Sequence, residues 1–120
     1  MYPEEFIEIA EELVRWKTHY VSEVCSRTIV NRAYIGSLLI IAMRLQSSLN
    51  VKFPRSSGFY ANIEEELGKT IGHRASQKLA QLRSWRLDAD YDLDILFNSP
   101  IAKESLIIAN ELITMVKEKI

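Results

Sequence analysis

Two arginines and four aspartates crowd the stretch LRSWRLDADYDLD, residues 82–94. Arg83 and Arg86 are three positions apart, so a helix through them places both guanidinium groups on one face. The aspartates follow at every second position, namely Asp88, Asp90, Asp92 and Asp94. Guanidinium groups bind phosphates and carboxylates, whereas clustered carboxylates bind cations or move protons. Four interpretations follow: a calcium loop, a pair of catalytic carboxylates, an ion-pair cluster or a phosphate-binding arginine.

The two carboxylate interpretations match the sequence poorly. A calcium loop that begins at Asp88 has Leu93 where glycine is required and Ser99 where a bidentate glutamate is required. An extended loop points alternate side chains the same way, so the carboxylates of a hydrolase could converge here. No catalytic partner pattern accompanies them. His19 and His73 lack metal-ligand spacing, so we predict no metal and no cofactor.

The two arginine interpretations fit the sequence better. Arg83 and Arg86 precede the predicted end of a helix, where the helix dipole favours cations. Asp88 or Asp90 can orient an arginine through a charge-assisted bond. Such a cluster either only ties helices together or presents an arginine to a nucleotide or RNA phosphate.

Helical periodicity runs through nearly the whole chain, and no segment alternates at the period of a strand. Pro3, Ser22 and Ser99 have the residue types of helix starts, and Gly68 has that of a helix end. Helices are predicted over residues 3–19, 22–50, 59–68, 71–87 and 99–120. We expect an all-α fold, a single domain (1–120) built as an up-down bundle of four main helices plus a short one.

Charge and hydropathy restrict the class of protein. The net charge is −1, but residues 27–86 hold ten basic and three acidic side chains, between acidic flanks. This basic middle either pairs with the flanks or attracts an anion. Cys25 is the single cysteine, the acidic N-terminus is unlike a signal peptide, and the apolar run SLLIIAM is short for a membrane span. We expect a cytoplasmic protein with no membrane partner.

Two stretches resemble motifs of the HEPN (higher eukaryotes and prokaryotes nucleotide-binding) superfamily. SRTIVNRAYIGSLLIIAMRL, residues 26–45, is similar to a long helix of that family, with NRAY at 31–34 matching its Arg-Ala-Tyr motif. GHRASQKLAQLRSWRLDADYDLD, residues 72–94, is similar to a second block, in which Arg86 precedes Ala-Asp-Tyr at 89–91. The two motifs stand in the family's order, and the resemblance covers most of the chain.

The resemblance implies a HEPN-like helical bundle that forms a two-fold homodimer. Many relatives are metal-independent endoribonucleases, often toxins encoded beside a small nucleotidyltransferase antitoxin, with an arginine and a histidine in the dimer cleft. Arg86 takes the arginine position, and Tyr91 stands where the histidine is expected. Phenols are much weaker bases near neutral pH than imidazole is, so ribonuclease activity does not carry over directly.

The resemblance therefore favours an RNA- or nucleotide-binding module, with Arg86 and Tyr91 as candidate catalytic residues. Arg83, Arg32 and His73 are further candidate binding residues. Arg32 is either a ligand contact or a partner for an acid such as the aspartate at position 90. His73 lies thirteen positions before Arg86 and cannot replace the missing histidine within one chain. The alternatives are a purely structural or protein-interaction bundle and a residual ribonuclease.

Overall fold

A computed structural model describes residues 2–15, 23–54, 57–94 and 99–120, and all regular structure in these ranges is helical. The prediction of an all-α fold is thereby confirmed. The helices within these ranges are α1 (Glu4–Arg15), α2 (Glu23–Leu49), α3 (Phe59–Thr70), α4 (His73–Tyr91) and α5 (Ser99–Lys119).

α2 lies at the centre of the molecule and contacts each of the other four helices. Its buried residues fall on several sides of the helix, as expected for a helix that others enclose. The apolar core draws on all five helices, and its members include Ile7, Ile41, Ile63, Leu79 and Leu112. The five helices therefore share one hydrophobic core, with α2 as its axis.

The hydropathy of α2 extends beyond the short run SLLIIAM. An 18-residue window of this helix has a mean hydropathy of 1.3, and the helix is long and apolar enough to cross a membrane. The shortness of the run SLLIIAM is therefore no argument against a membrane span. However, 61% of that window is buried inside the protein, as in the core helix of a soluble protein. A cytoplasmic location stays a prediction.

Several helix ends differ from those predicted. α3 continues to Thr70, so the prediction that Gly68 ends it is wrong. Gly68 lies inside the helix, where an added Cβ would be 3.4 Å from Oγ of Ser76 in α4, an ordinary van der Waals contact. The predicted fourth helix, 71–87, begins at His73 after the N-cap Gly72, whose φ of +127° only glycine adopts readily.

The first loop cannot be compared with the sequence predictions. α1 is described as far as Arg15, and the predicted continuation to residue 19, the cap at Ser22 and His19 all lie outside the described residues. α5 begins at Ser99, the residue that the sequence selects as the start of the last helix.

Candidate functional site

The helix that carries the two arginines continues through part of the aspartate-rich stretch. α4 ends at Tyr91, so the predicted end near residue 87 is wrong. Arg83 and Arg86 are therefore not in the last turn, and the expected stabilisation by the helix dipole does not apply to them. Asp88 and Asp90 are helical, and a helix points side chains two positions apart in different directions. The expected convergence of these carboxylates in an extended loop is thus also wrong.

Arg27 of α2 gives a physical reason for the longer α4. Its Nη1 donates hydrogen bonds to the backbone oxygens of Asp88, at 3.1 Å, and Ala89, at 2.8 Å, which are among the last four carbonyls of α4, where a helix runs out of intrahelical donors. The Asp88 oxygen also accepts from the backbone N–H of Asp92 at 3.0 Å. Oε1 of Glu23 accepts from Nη2 of Arg27 at 2.8 Å and fixes the guanidinium. Sequence reasoning missed Arg27, although a glutamate four residues earlier is the signal of a helical ion pair.

Arg86, Asp90 and Asn31 join α4 to α2. Nε of Arg86 lies 2.8 Å from Oδ2 of Asp90, and the same oxygen accepts from Nδ2 of Asn31 at 3.0 Å. The Arg86 N–H does not point at the carboxylate, so the buried Nε makes no hydrogen bond with any described residue. Of the two aspartates predicted to orient an arginine, Asp90 contacts Arg86, whereas the Asp88 carboxylate forms no ion pair within the described ranges.

The end of α4 presents an exposed aromatic ring beside Arg86. Tyr91 is 72% exposed, and its ring centroid lies 5.9 Å from Cζ of Arg86, which is within range of a cation–π interaction. The side chain of Arg86 itself is 17% exposed. Leu87 and Leu93, near the end of the same helix, are also exposed.

Arg83 contacts α3 rather than the aspartates. Its Nε donates to Oε1 of Glu64 at 2.5 Å, and its Nη2 lies 3.5 Å from Oε2. The adjacent Tyr34 of α2 is fully buried, and its ring meets that of Tyr60 edge to face, with centroids 6.1 Å apart. The Tyr34 hydroxyl has no hydrogen-bond partner in the described part of the chain.

The pKa of Tyr34 responds to the charges of both arginines. Burial raises the pKa of Tyr34 above its ordinary value, and the Glu64 carboxylate raises it further, while the charges of Arg83 and Arg86 oppose this. Tyr34 therefore lies near both arginines. We call the whole arrangement the polar strip, which consists of Arg27, Asn31, Tyr34, Tyr60, Glu64, Arg83, Arg86, Asp90 and Tyr91.

The two remaining candidates lie beside or outside the strip. One interpretation expected Arg32 to pair with Asp90. Asn31 contacts Asp90 instead, and the guanidinium carbon of Arg32 lies 5.4 Å from the ring centroid of Phe6. Arg32 still lines a cavity of about 300 Å³ beside the strip. His73 is exposed at the start of α4, roughly 20 Å along the helix axis from Arg86.

Other features of the molecule offer no competing chemical centre. No three His, Cys, Asp or Glu side chains among the described residues come together as metal ligands would. Two larger clefts, of about 540 and 640 Å³, border α5 and share no residue with the polar strip. The strip thus contains the densest set of chemically capable side chains that the structure describes, and its guanidinium groups suit the binding of an anion.

A scan against protein-family models, a search of the curated proteins and a search of the solved structures each returned no match. Proposals about function therefore rest on the polar strip and on the motifs in the sequence.

Proposed function

We propose that the protein is a HEPN-like module that binds RNA or a nucleotide, with a phosphate held by Arg86 of the polar strip. The proposal rests on the contacts that the Arg86 guanidinium group makes and on the ring beside it. One carboxylate lies against Nε of its guanidinium group, no hydrogen bond joins its terminal nitrogens to a described residue, and the exposed ring of Tyr91 lies beside it. An arginine with remaining N–H donors next to an exposed aromatic ring suits a phosphate and a base together.

The proposal includes a homodimer that brings two copies of Arg86 into one cleft. The exposed side chains of Leu87 and Leu93, near the end of α4, supply an apolar surface that a second copy would cover. Leu93 is 85% exposed, so Leu93→Lys leaves the core intact and should shift the protein toward the monomer in sedimentation velocity. An unchanged sedimentation coefficient would argue against this interface. A nucleotidyltransferase antitoxin as partner stays a prediction from the resemblance.

Binding is favoured over RNA cleavage. Cleavage without a metal needs a base that accepts a proton near neutral pH, and imidazole is the side chain suited to this. Beside Arg86 the described residues offer a phenol and a carboxylate, and His73 is more than three helical turns away. We therefore do not propose ribonuclease activity.

A structural role is the second candidate, because Asp90 contacts both Arg86 and Asn31 and so connects two helices. The substitution Arg86→Ala separates the two functions. If Arg86 binds phosphate, it weakens the binding of labelled single-stranded RNA about tenfold or more, since a charged hydrogen bond contributes about 1.5–3 kcal/mol.

The matched control is Arg74→Ala, which removes an exposed arginine of α4 outside the strip. Fluorescence anisotropy gives the affinity, and circular dichroism gives the melting temperature of each variant. A structural role predicts the reverse pattern: Arg86→Ala lowers the melting temperature by several degrees, and the folded protein binds RNA as the Arg74→Ala variant does.

A further inference from the structure

The polar strip contains a second pair of an arginine and an exposed tyrosine. At one end, Tyr91 lies over Arg86. At the other end, Arg83 has a side chain that is 41% exposed, and Tyr60 is 40% exposed. Arg83 and the two tyrosines can therefore be reached from solvent, whereas the Arg86 side chain is only 17% exposed.

The second pair is held together by α3. Tyr60 and Glu64 are four residues apart on α3, so they lie on the same side of the helix. Glu64 binds Nε and Nη2 of Arg83, which fixes the guanidinium but leaves Nη1 without a hydrogen bond to a described residue. The carboxylate thus orients Arg83 without using all its donors.

Tyr34 marks the junction of the two pairs. It packs against Tyr60, and its surroundings include both Arg83 and Arg86. Its hydroxyl is buried and lacks a partner among the described residues, which is uncommon for a buried polar group. Tyr34 thus links the two pairs inside the protein, and its enclosed hydroxyl is not offered to a ligand.

The two tyrosines set the minimum size of a ligand that uses both pairs. The arginines at positions 83 and 86 are about 4.5 Å apart along the helix axis, whereas Tyr91 and Tyr60 belong to different helices. A single nucleotide has one base and can stack on only one of the two rings, so a ligand that stacks on both needs at least two bases. Stacking on exposed side chains also requires bases that are not paired.

We propose that the polar strip is a track for single-stranded RNA with two subsites, one at Arg86 and Tyr91 and one at Arg83 and Tyr60. The ligand then has at least two nucleotides. This inference rests on the proposed function, because it takes phosphate binding by Arg86 as given. It goes further by naming the class of nucleic acid and by assigning the residues of the second subsite.

The test compares uridine monophosphate with oligouridylates of two, four and eight nucleotides by isothermal titration calorimetry. The affinity should rise more than tenfold between one and four nucleotides. Tyr60→Ala should weaken the octanucleotide about tenfold and leave the mononucleotide unchanged, because it removes one stacking platform. Tyr60→Phe keeps the ring and should bind as the unmodified protein does.

The control variant is Tyr2→Ala, since Tyr2 is 73% exposed and lies outside the strip. Backbone amide spectra of the unmodified protein give a readout that needs no variant. The amides of residues 59–61 should shift with the tetranucleotide and not with the mononucleotide.

The outcomes distinguish the two proposals. The second subsite is overturned if all ligand lengths bind with equal affinity, or if Tyr60→Ala leaves the octanucleotide affinity unchanged. In either case, loss of binding in Arg86→Ala would still support the proposed function. If no ligand of the series binds, the proposed function fails, and the two-subsite track fails with it.

Discussion

The apolar core and the polar strip lie on some of the same helices, but they differ in how their side chains are packed and hydrogen-bonded. Core residues such as Ile41, Leu45 and Leu79 are completely enclosed by other apolar side chains. The strip instead holds arginines, carboxylates and tyrosines, and two of its buried polar atoms, the Tyr34 hydroxyl and Nε of Arg86, have no hydrogen-bond partner among the described residues. Packing explains the core, but it does not require the strip, so the strip's residue types call for a second explanation.

The largest expected effect on stability comes from the core. Leu79→Ala removes a fully buried side chain and should lower the free energy of unfolding by about 2–5 kcal/mol. Urea unfolding followed by circular dichroism measures this loss. The remaining folded protein should bind RNA normally, because Leu79 does not belong to the strip. A loss below about 1 kcal/mol would mean that the core does not dominate stability.

An intermediate effect is expected where the strip supports the fold. Arg27 has a side chain that is 12% exposed, and it donates to the two carbonyl oxygens near the end of α4. Arg27→Ala should therefore lower stability by about 1–3 kcal/mol, since it removes the side-chain donor from both oxygens and the Asp88 oxygen keeps only the N–H of Asp92.

The loss in Arg27→Ala should also be local. Hydrogen exchange at residues 88–91 should accelerate, while the amides around Leu79 stay protected until global unfolding. Arg74→Ala, on the exposed surface of α4, is the control. Uniform acceleration along the whole helix would show that Arg27 does not specifically stabilise its end.

The smallest effect at neutral pH is expected at Tyr34. Tyr34→Phe removes a buried hydroxyl without a described partner and keeps the ring, so stability should change by less than about 1 kcal/mol. A loss of several kcal/mol in urea unfolding would show that the hydroxyl has a partner and that the strip is fully satisfied.

The same variant should change how stability depends on pH. Burial raises the pKa of Tyr34 in the folded state above the ordinary value of about 10, so the folded protein keeps a proton that the unfolded chain loses. The contribution is fully present below pH 10 and is lost as pH rises above that value. The difference in stability between the unmodified protein and Tyr34→Phe, measured at pH 9 and pH 11, should therefore shift in favour of the variant at pH 11. No shift would contradict the burial of an ionisable phenol.

Local patterns in the sequence were sufficient for part of this account. Helical periodicity was enough to predict the all-α class, because it depends on neighbours along one helix. An aspartate at position 88 or 90 was predicted to orient an arginine from beyond the helix end, whereas Asp90 contacts Arg86 as an i, i+4 pair inside α4. The end of α4 was not predictable in this way, since it depends on Arg27, which lies about sixty residues earlier.

Contacts between helices account for the other differences. Arg83 pairs with Glu64 and not with an aspartate because α3 packs beside α4. Gly68 lies inside α3 and does not end it. No pattern within one helix specifies which face a neighbouring helix will cover, so the second half of the polar strip was not recognised from the sequence.

The salt dependence of RNA binding tests most directly whether Arg86 contacts a phosphate. The affinity of a labelled octauridylate is measured by anisotropy from low to moderate salt, for the unmodified protein, Arg86→Ala and the control Arg74→Ala. Each phosphate contact on a single strand contributes about 0.7 to the slope of log affinity against log salt. We expect Arg86→Ala to reduce the slope by about this amount and Arg74→Ala to leave it unchanged. Equal slopes for all three proteins would contradict the assignment of Arg86 as a phosphate-binding residue.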